Sequence, residues 1–274
     1  MLGPWLALLG FVVGTLGTLV GAGGGFILLP LLFFLYPERP AEQLTAISLA
    51  IVFLNSTSGS VAYVRKGRVD FRSAFLFSLA ALPGVVLGAF STQYLSRATF
   101  EPLFAAFLLL VSGYLFMNPK RKTAPVLESL RHRRGHVSWL VVERDGSTHR
   151  VTYSLPLGLA ISAFVGFISS LIGVGGGIMH VPALIQLLGF PIHLATATSH
   201  FILALTSAVG SGIHIWNGSL AAGLNEVLWR GPGWVLGAQL GAFLSTRIRG
   251  VWIIRGLALA LASVGVRLIW RSLA

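Results

Sequence analysis

Two near-copies of one glycine phrase stand about 150 residues apart in this chain, and each interrupts a long apolar stretch. The first, Gly14 to Pro30, reads GTLGTLVGAGGGFILLP; the second, Gly166 to Pro182, reads GFISSLIGVGGGIMHVP. Gly14/Gly166, Gly21/Gly173, the triplets Gly23-Gly24-Gly25 and Gly175-Gly176-Gly177, and Pro30/Pro182 fall in register. Three consecutive glycines weaken a helix, and a break inside a bilayer is tolerated only where the freed backbone groups face protein or a water-filled cavity. The chain is therefore duplicated, and each half breaks a membrane segment at the same place.

Composition agrees with a membrane setting. Over 274 residues the chain is 55% hydrophobic and only 10% charged, with a mean hydropathy of +0.82, too little polar surface for a soluble globule. A spanning helix takes roughly 20 apolar residues. Runs of that order occupy 3–20, 41–63, 71–95, 99–117, 154–172, 193–216, 220–246 and 250–270, and two shorter runs, 26–36 and 178–190, follow the triplets. The formal charge of +12 sits mainly in loops between the runs, as cytoplasmic loops require, which argues against a nucleic-acid partner. Cysteine is absent, so disulfides, thiolate chemistry and cysteine-held metals are excluded. Neither a cofactor nor a metal is expected. The first 25 residues have no basic flank or cleavage pattern, so the first segment is expected to be retained.

The register continues past the phrase with one residue deleted. Pro40/Pro191, Thr45/Thr196, Ser48/Ser199, Gly59/Gly210, Ser60/Ser211 and Gly67/Gly218 align, then Pro83-Gly84 with Pro232-Gly233. The expected fold is all-α and polytopic: two homologous halves, each a glycine-broken, re-entrant segment plus three transmembrane helices. The domains are a first membrane repeat, 1–117, a basic linker, 118–153, and a second repeat, 154–274. Within the linker, 137–153 alternates apolar and polar residues around Asp145-Gly146, a hairpin signal. It reads as a docking or regulatory element or as a plain connector, the latter being the simpler expectation.

Charge sets the relation of the halves. Arg65, Lys66, Arg68 and Arg72 form one basic loop, Lys120, Arg121, Lys122, Arg131, Arg133 and Arg134 a second, and Arg247, Arg249 and Arg255 a third. If every segment crossed, the halves would be parallel and the third loop would lie outside, against the positive-inside rule. If the glycine-broken segments are re-entrant, the halves are inverted, all three loops lie inside, and both termini are external, as in inverted-repeat transporters. Arg267 and Arg271 near the C-terminus count against this arrangement.

A short helix beginning after each triplet would aim its positive dipole end and free amides at an anion. Gly23, Gly24, Gly25, Gly175, Gly176 and Gly177 would let that anion approach the backbone closely. The repeated hydroxyls Thr45, Ser48, Thr196 and Ser199 lie three apart on one helix face, where they either bind an oxyanion or join helices. His200 is a candidate proton carrier or a packing residue. Glu226 and Arg230, four apart, read first as a mutual ion pair. In the functional version Arg230 attracts the anion and Glu226 couples protons, and a third reading leaves both in an external loop.

The phrases GAGGGFILLP and GVGGGIMHVP, Thr196-Ala197-Thr198-Ser199, Gly67-x-Val69-Asp70 and Gly237-Ala238-Gln239-Leu240-Gly241 resemble the TauE/SafE family of sulfite exporters across both halves. The resemblance implies an inner-membrane permease for small sulfur-containing anions such as sulfite, thiosulfate or organosulfonates, with the glycine phrases and 196–199 facing the substrate. Gly218-Ser219-Leu220-Ala221, where the first half has GRVD, departs from the pattern, as do Glu226/Arg230 and the hairpin. The function expected is secondary transport by alternating access, with protons as candidate coupling ion. Against it stand an anion channel, transport of another small organic anion, and an intramembrane enzyme or sulfur relay, which the lack of cysteine disfavours. Oligomeric state is not readable.

Overall fold

A computed structural model describes residues 3–117, 135–144, 146–245, 247–248 and 250–273. The basic residues Lys120, Arg121, Lys122, Arg131, Arg133 and Arg134, the hairpin-tip Asp145, and Arg249 lie outside the described residues. The first half comprises α1 (Gly3–Val20), α2 (Gly25–Leu35), α3 (Ala41–Arg65), α4 (Phe71–Ser91), a 3₁₀ turn Thr92–Tyr94, and α5 (Arg97–Met117). Strands β1 (His136–Val142) and β2 (Thr148–Ser154) follow. The second half comprises α6 (Leu155–Ile172), α7 (Gly177–Pro182) with a π-helical turn Ala183–Leu187, α8 (Ile192–Trp216), α9 (Leu224–Leu244) and α10 (Gly250–Leu273).

The repeated residues act at repeated places. Pro40 and Pro191, both with extended ψ, start α3 and α8. Gly21, Gly23, Gly24, Gly173 and Gly175 have φ between 71° and 81°, a region that side chains disfavour, and these residues end α1 and α6.

Small residues decide which helices touch. A methyl group at Gly233, Gly237 or Gly241 of α9 would lie 2.1, 2.3 and 2.4 Å from the carbonyl oxygens of Ala7, Phe11 and Thr15. The numbers rise together, so α1 and α9 run in the same direction at backbone contact, the close approach small residues permit in membranes. Gly84 and Gly88 of α4 meet the carbonyls of Ala163 and Phe167 in the same way, at 2.2 and 2.3 Å, so α4 and α6 are also parallel. The first helix of each half thus packs on the fourth helix of the other.

Equivalent helices meet head to tail. Along α3 and α8, Asn217 donates to Glu42, Leu49 borders Gly210, the hydroxyls of Ser56 and Ser207 are 3.5 Å apart, and Gly59 borders His200. One number falls as the other rises. Ser112 donates to the Ala258 carbonyl and Gly265 meets Leu109, so α5 and α10 are likewise antiparallel. Ser58 donates to the Val235 carbonyl and Lys66 to that of Ala242, which makes α3 parallel to α9 and hence to α1. The chain between α1 and α3 must then double back, and α2 is the returning limb. Equivalent contacts, Phe71 with Phe201 and Gly210 with Val85, make α7 the returning limb of the second half.

Among the described residues five helices are long and apolar enough to cross a membrane: α3, α4 with its 3₁₀ turn, α5, α6 and α8. Apolar side chains such as Leu79, Leu110, Phe164, Leu236 and Leu259 face outward. The molecule is a mostly helical, polytopic membrane protein.

The hairpin forms over His136–Val142 and Thr148–Ser154, with Trp139 opposite Val151, and it is held by side chains rather than left as a free connector. Trp139 donates its indole N–H to Asp70 at 3.0 Å, Asp70 caps α4 by accepting from the Ser73 amide, and the Asp70 amide donates to Thr198. The Tyr153 ring packs against Phe77, Trp139 and Phe190. Burial pushes its hydroxyl up to about 12, opposed by a hydrogen bond with Ser73. Glu143 holds Arg68 at 2.7 Å and His149 at 3.0 Å. Burial, then the nearby Arg68, holds Lys66 below the ordinary lysine range.

Candidate functional site

The two glycine corners meet in the middle of the molecule. Residues 21–26 and 172–178 are all buried. A methyl group on Gly25 would lie 2.3 Å from the Val174 carbonyl oxygen, and one on Gly177 would lie 2.4 Å from that of Gly21. Gly23 and Gly175 rest on the same two side chains, Leu203 and Val52, with Leu203 at 2.4 Å from a methyl at either position. Val52 and Leu203 are equivalent by the duplication, as are Ser56 and Ser207, so the corners straddle the relation between the halves. Gly24 lies under the Trp234 ring, and Gly176 lies beside His180 Nδ1. No backbone acceptor among the described residues takes the amide hydrogens of Gly24, Gly25 and Phe26, or those of Gly175, Gly176, Gly177 and Ile178. These amides open α2 and α7 with positive dipole ends.

The repeated hydroxyls cross between halves. Thr45 of α3 packs on Gly173 of the second corner, and Thr196 of α8 packs on Gly21 of the first. Thr196 donates to the Ile192 carbonyl, and Ser199 reaches the Gly21 carbonyl at 3.4 Å. Thr45 and Ser48 are fully buried with no hydrogen-bond partner. Ser170, Ser211 and both ring nitrogens of His214 are also buried and unpartnered. By the antiparallel register Ser211 and His214 occupy the same stretch of the α3/α8 interface as Ser48 and Thr45. Buried polar groups are normally satisfied, and here Thr45, Ser48, Ser170 and Ser211 leave a run of orphan hydroxyls beside a glycine corner.

The other flank of the corners is tied. Thr18 donates to the Asn55 side-chain oxygen at 3.0 Å and lies 3.4 Å from His200 Nε2. Asn55 donates to the carbonyls of Gly14 and Trp234, and the Tyr63 hydroxyl donates to that of Thr18. The His200 ring stands edge-on to Tyr63 at 5.8 Å and covers Gly59. The duplication puts Leu49 where His200 stands, Ser170 for Thr18, Thr206 for Asn55 and His214 for Tyr63; Gly210, the partner of Gly59, accordingly borders Leu49 and Ser170. His200 is thus the polar member of an otherwise apolar equivalent pair.

Glu226 and Arg230 do not pair with each other. Glu226, in the first turn of α9, takes Arg39 from the loop after α2 at 2.5 Å. Arg230, one turn on and only 4% exposed, donates to the Tyr36 hydroxyl at 2.6 Å. The end of α2 comes between the two side chains and supplies each with a partner. Both residues lie in the helix, so the loop reading fails as well.

Sequence reasoning passed over Thr18, Tyr63, His180, His214 and Trp234. His180, inside GIMHVP, was the clearest signal available, a lone imidazole in a short apolar run; it lies 3.3 Å from the Ser162 hydroxyl. Among the described residues no cluster of His, Cys, Asp or Glu has the makings of a metal site. Amides, hydroxyls and imidazoles remain, a donor-rich set suited to a small anion.

The model of the family described as sulfite exporter TauE/SafE matches residues 6–268. The chain is 30% identical over 276 residues to the "Probable membrane transporter protein YunE" of Bacillus subtilis (strain 168), covering 98% of this chain and 97% of the relative. It is 27% identical to a "Probable membrane transporter protein" of Xylella fastidiosa (strain Temecula1), covering 97% and 92%. A relative of the same description in Methanocaldococcus jannaschii is 25% identical over 76% of this chain and 70% of its own length. No solved structure matches.

Proposed function

We propose that this chain, which belongs to the sulfite exporter TauE/SafE family, carries small sulfur-containing anions of the sulfite, thiosulfate or organosulfonate class across the inner membrane. Membership makes it a membrane transporter and not an enzyme. The observation that carries the reading is the meeting of two glycine corners in which the amides of Gly24 to Phe26 and of Gly175 to Ile178 lack backbone acceptors among the described residues, flanked by hydroxyls that each half lends to the other. The anion is held between Gly23 to Gly25 and Gly175 to Gly177, with Thr45, Ser48, Thr196 and Ser199 supplying hydroxyls.

The mechanism proposed is alternating access by inverted repeats. The head-to-tail meeting of α3 with α8 supports it, and so does the exchange of first and fourth helices between 1–117 and 154–274. The linker 118–153 then faces the cytoplasm and both termini face out, in keeping with Arg65, Lys66 and Arg68 at the hairpin end. His200 is the candidate proton carrier, since it faces Thr18 beside the first corner. Close packing of the corners favours a carrier over an open pore. Uptake of radiolabelled sulfite into proteoliposomes, competed by thiosulfate, sulfate and sulfonates, tests the substrate class. Uptake that no sulfur anion inhibits while another organic anion does would reassign it.

A further inference from the structure

Among the described residues, one buried cation, Arg230, has no anionic partner. At the end of the bundle remote from the hairpin Arg39, Arg97 and Arg230 stand against Tyr36, and Arg267 lies over the neighbouring Phe34 ring at the end of α2. Arg97 is neutralised by Glu101 at 2.7 Å and by the carbonyls of Phe33 and Tyr36. Arg39 is neutralised by Glu226. Arg230 is 4% exposed, donates Nη2 to the neutral Tyr36 hydroxyl, and stands 5.4 Å over the Tyr36 ring. Arg39 stands over the same ring at 4.5 Å. One phenol therefore lies against two guanidinium groups, and Nη1 of each is buried without a hydrogen-bond partner. A desolvated guanidinium held only by a phenol is costly unless a counter-charge joins it, and its planar fork matches an oxyanion. The first half has Ala81 at the position equivalent to Arg230, so this feature belongs to one end of the molecule only.

We infer that Arg230, Tyr36 and Arg39 form a second oxyanion site, separate from the glycine corners. Its role as a waiting place for the transported anion rests on the transport reading; its existence does not. The same chemistry fits a free sulfite or sulfate and the phosphate of a lipid headgroup.

The test is the melting temperature of the purified protein in detergent and chloride buffer, with sodium sulfate, sodium sulfite or phosphatidylglycerol mixed micelles added. Sulfate or sulfite is expected to raise it in the wild type, and Arg230→Gln is expected to raise the half-saturating concentration about tenfold or more. In chloride alone Arg230→Gln is expected to melt no lower than the wild type, because a buried unpaired charge has been removed. A lipid-only response that Arg230→Gln abolishes would support the site and overturn its place on the transport path. An equal response in Arg230→Gln, or none in the wild type to any of the three probes, would overturn the site. Sulfite flux in proteoliposomes is read separately, so a lost transport reading leaves an Arg230-dependent response standing.

Discussion

Gly175 and Gly176 are neighbours in one triplet, yet their backbones differ. Gly175 has φ of 76°, and a methyl group there would lie 2.4 Å from Leu203; Gly176 has φ of −67° and meets the movable His180 ring at 2.8 Å. Alanine at 175 is therefore expected to cost about 1–3 kcal/mol and alanine at 176 clearly less, checked by the melting temperatures of the two purified variants. Equal losses would mean that the left-handed backbone is not what the triplet requires. His200→Leu borrows the residue that the other half uses at Leu49, so it is expected to fold and to lose the response of transport to an imposed proton gradient. A response kept at full size would make His200 a packing residue. The glycines and repeated hydroxyls were legible because duplication prints each of them twice. Thr18 and Tyr63 were not, because Ser170 and His214 replace them in the second copy and no register points to them.

At the scale of elements, the apolar runs gave the helices to within four residues at each end, since length and hydropathy alone specify a span. They did not say which helices touch. Helices apolar on every side offer no face for pattern to read, and the partners are set instead by small residues such as Gly233, Gly237 and Gly84 against opposing carbonyls. Gly237→Leu is accordingly expected to abolish folded protein, judged by a monodisperse peak on size exclusion. The hairpin was legible from its alternation and its Asp145-Gly146 turn, but its docking was not, because Asp70, Phe77 and Phe190 come from distant elements. Trp139→Ala removes the indole that reaches Asp70 and is expected to loosen the hairpin by about 2 kcal/mol. Hydrogen exchange over 136–154 should then speed up more than tenfold while the membrane helices keep their protection.

For the whole molecule, equivalent helices meet head to tail around paired glycine corners, and carrier behaviour tests the alternating access proposed for them. Topology is one check: a reporter fused after Ala274 is expected to be active outside the cytoplasm, and activity only inside would overturn the topology with external termini. The most direct measurement is counterflow of radiolabelled sulfite in proteoliposomes. Saturable uptake is expected, accelerated by unlabelled sulfite on the opposite side and lost in Gly24→Val, whose added side chain would meet Trp234 at a φ of 76°. Unsaturated sulfite conductance that follows voltage, or counterflow unchanged in a correctly folded Gly24→Val, would contradict that expectation.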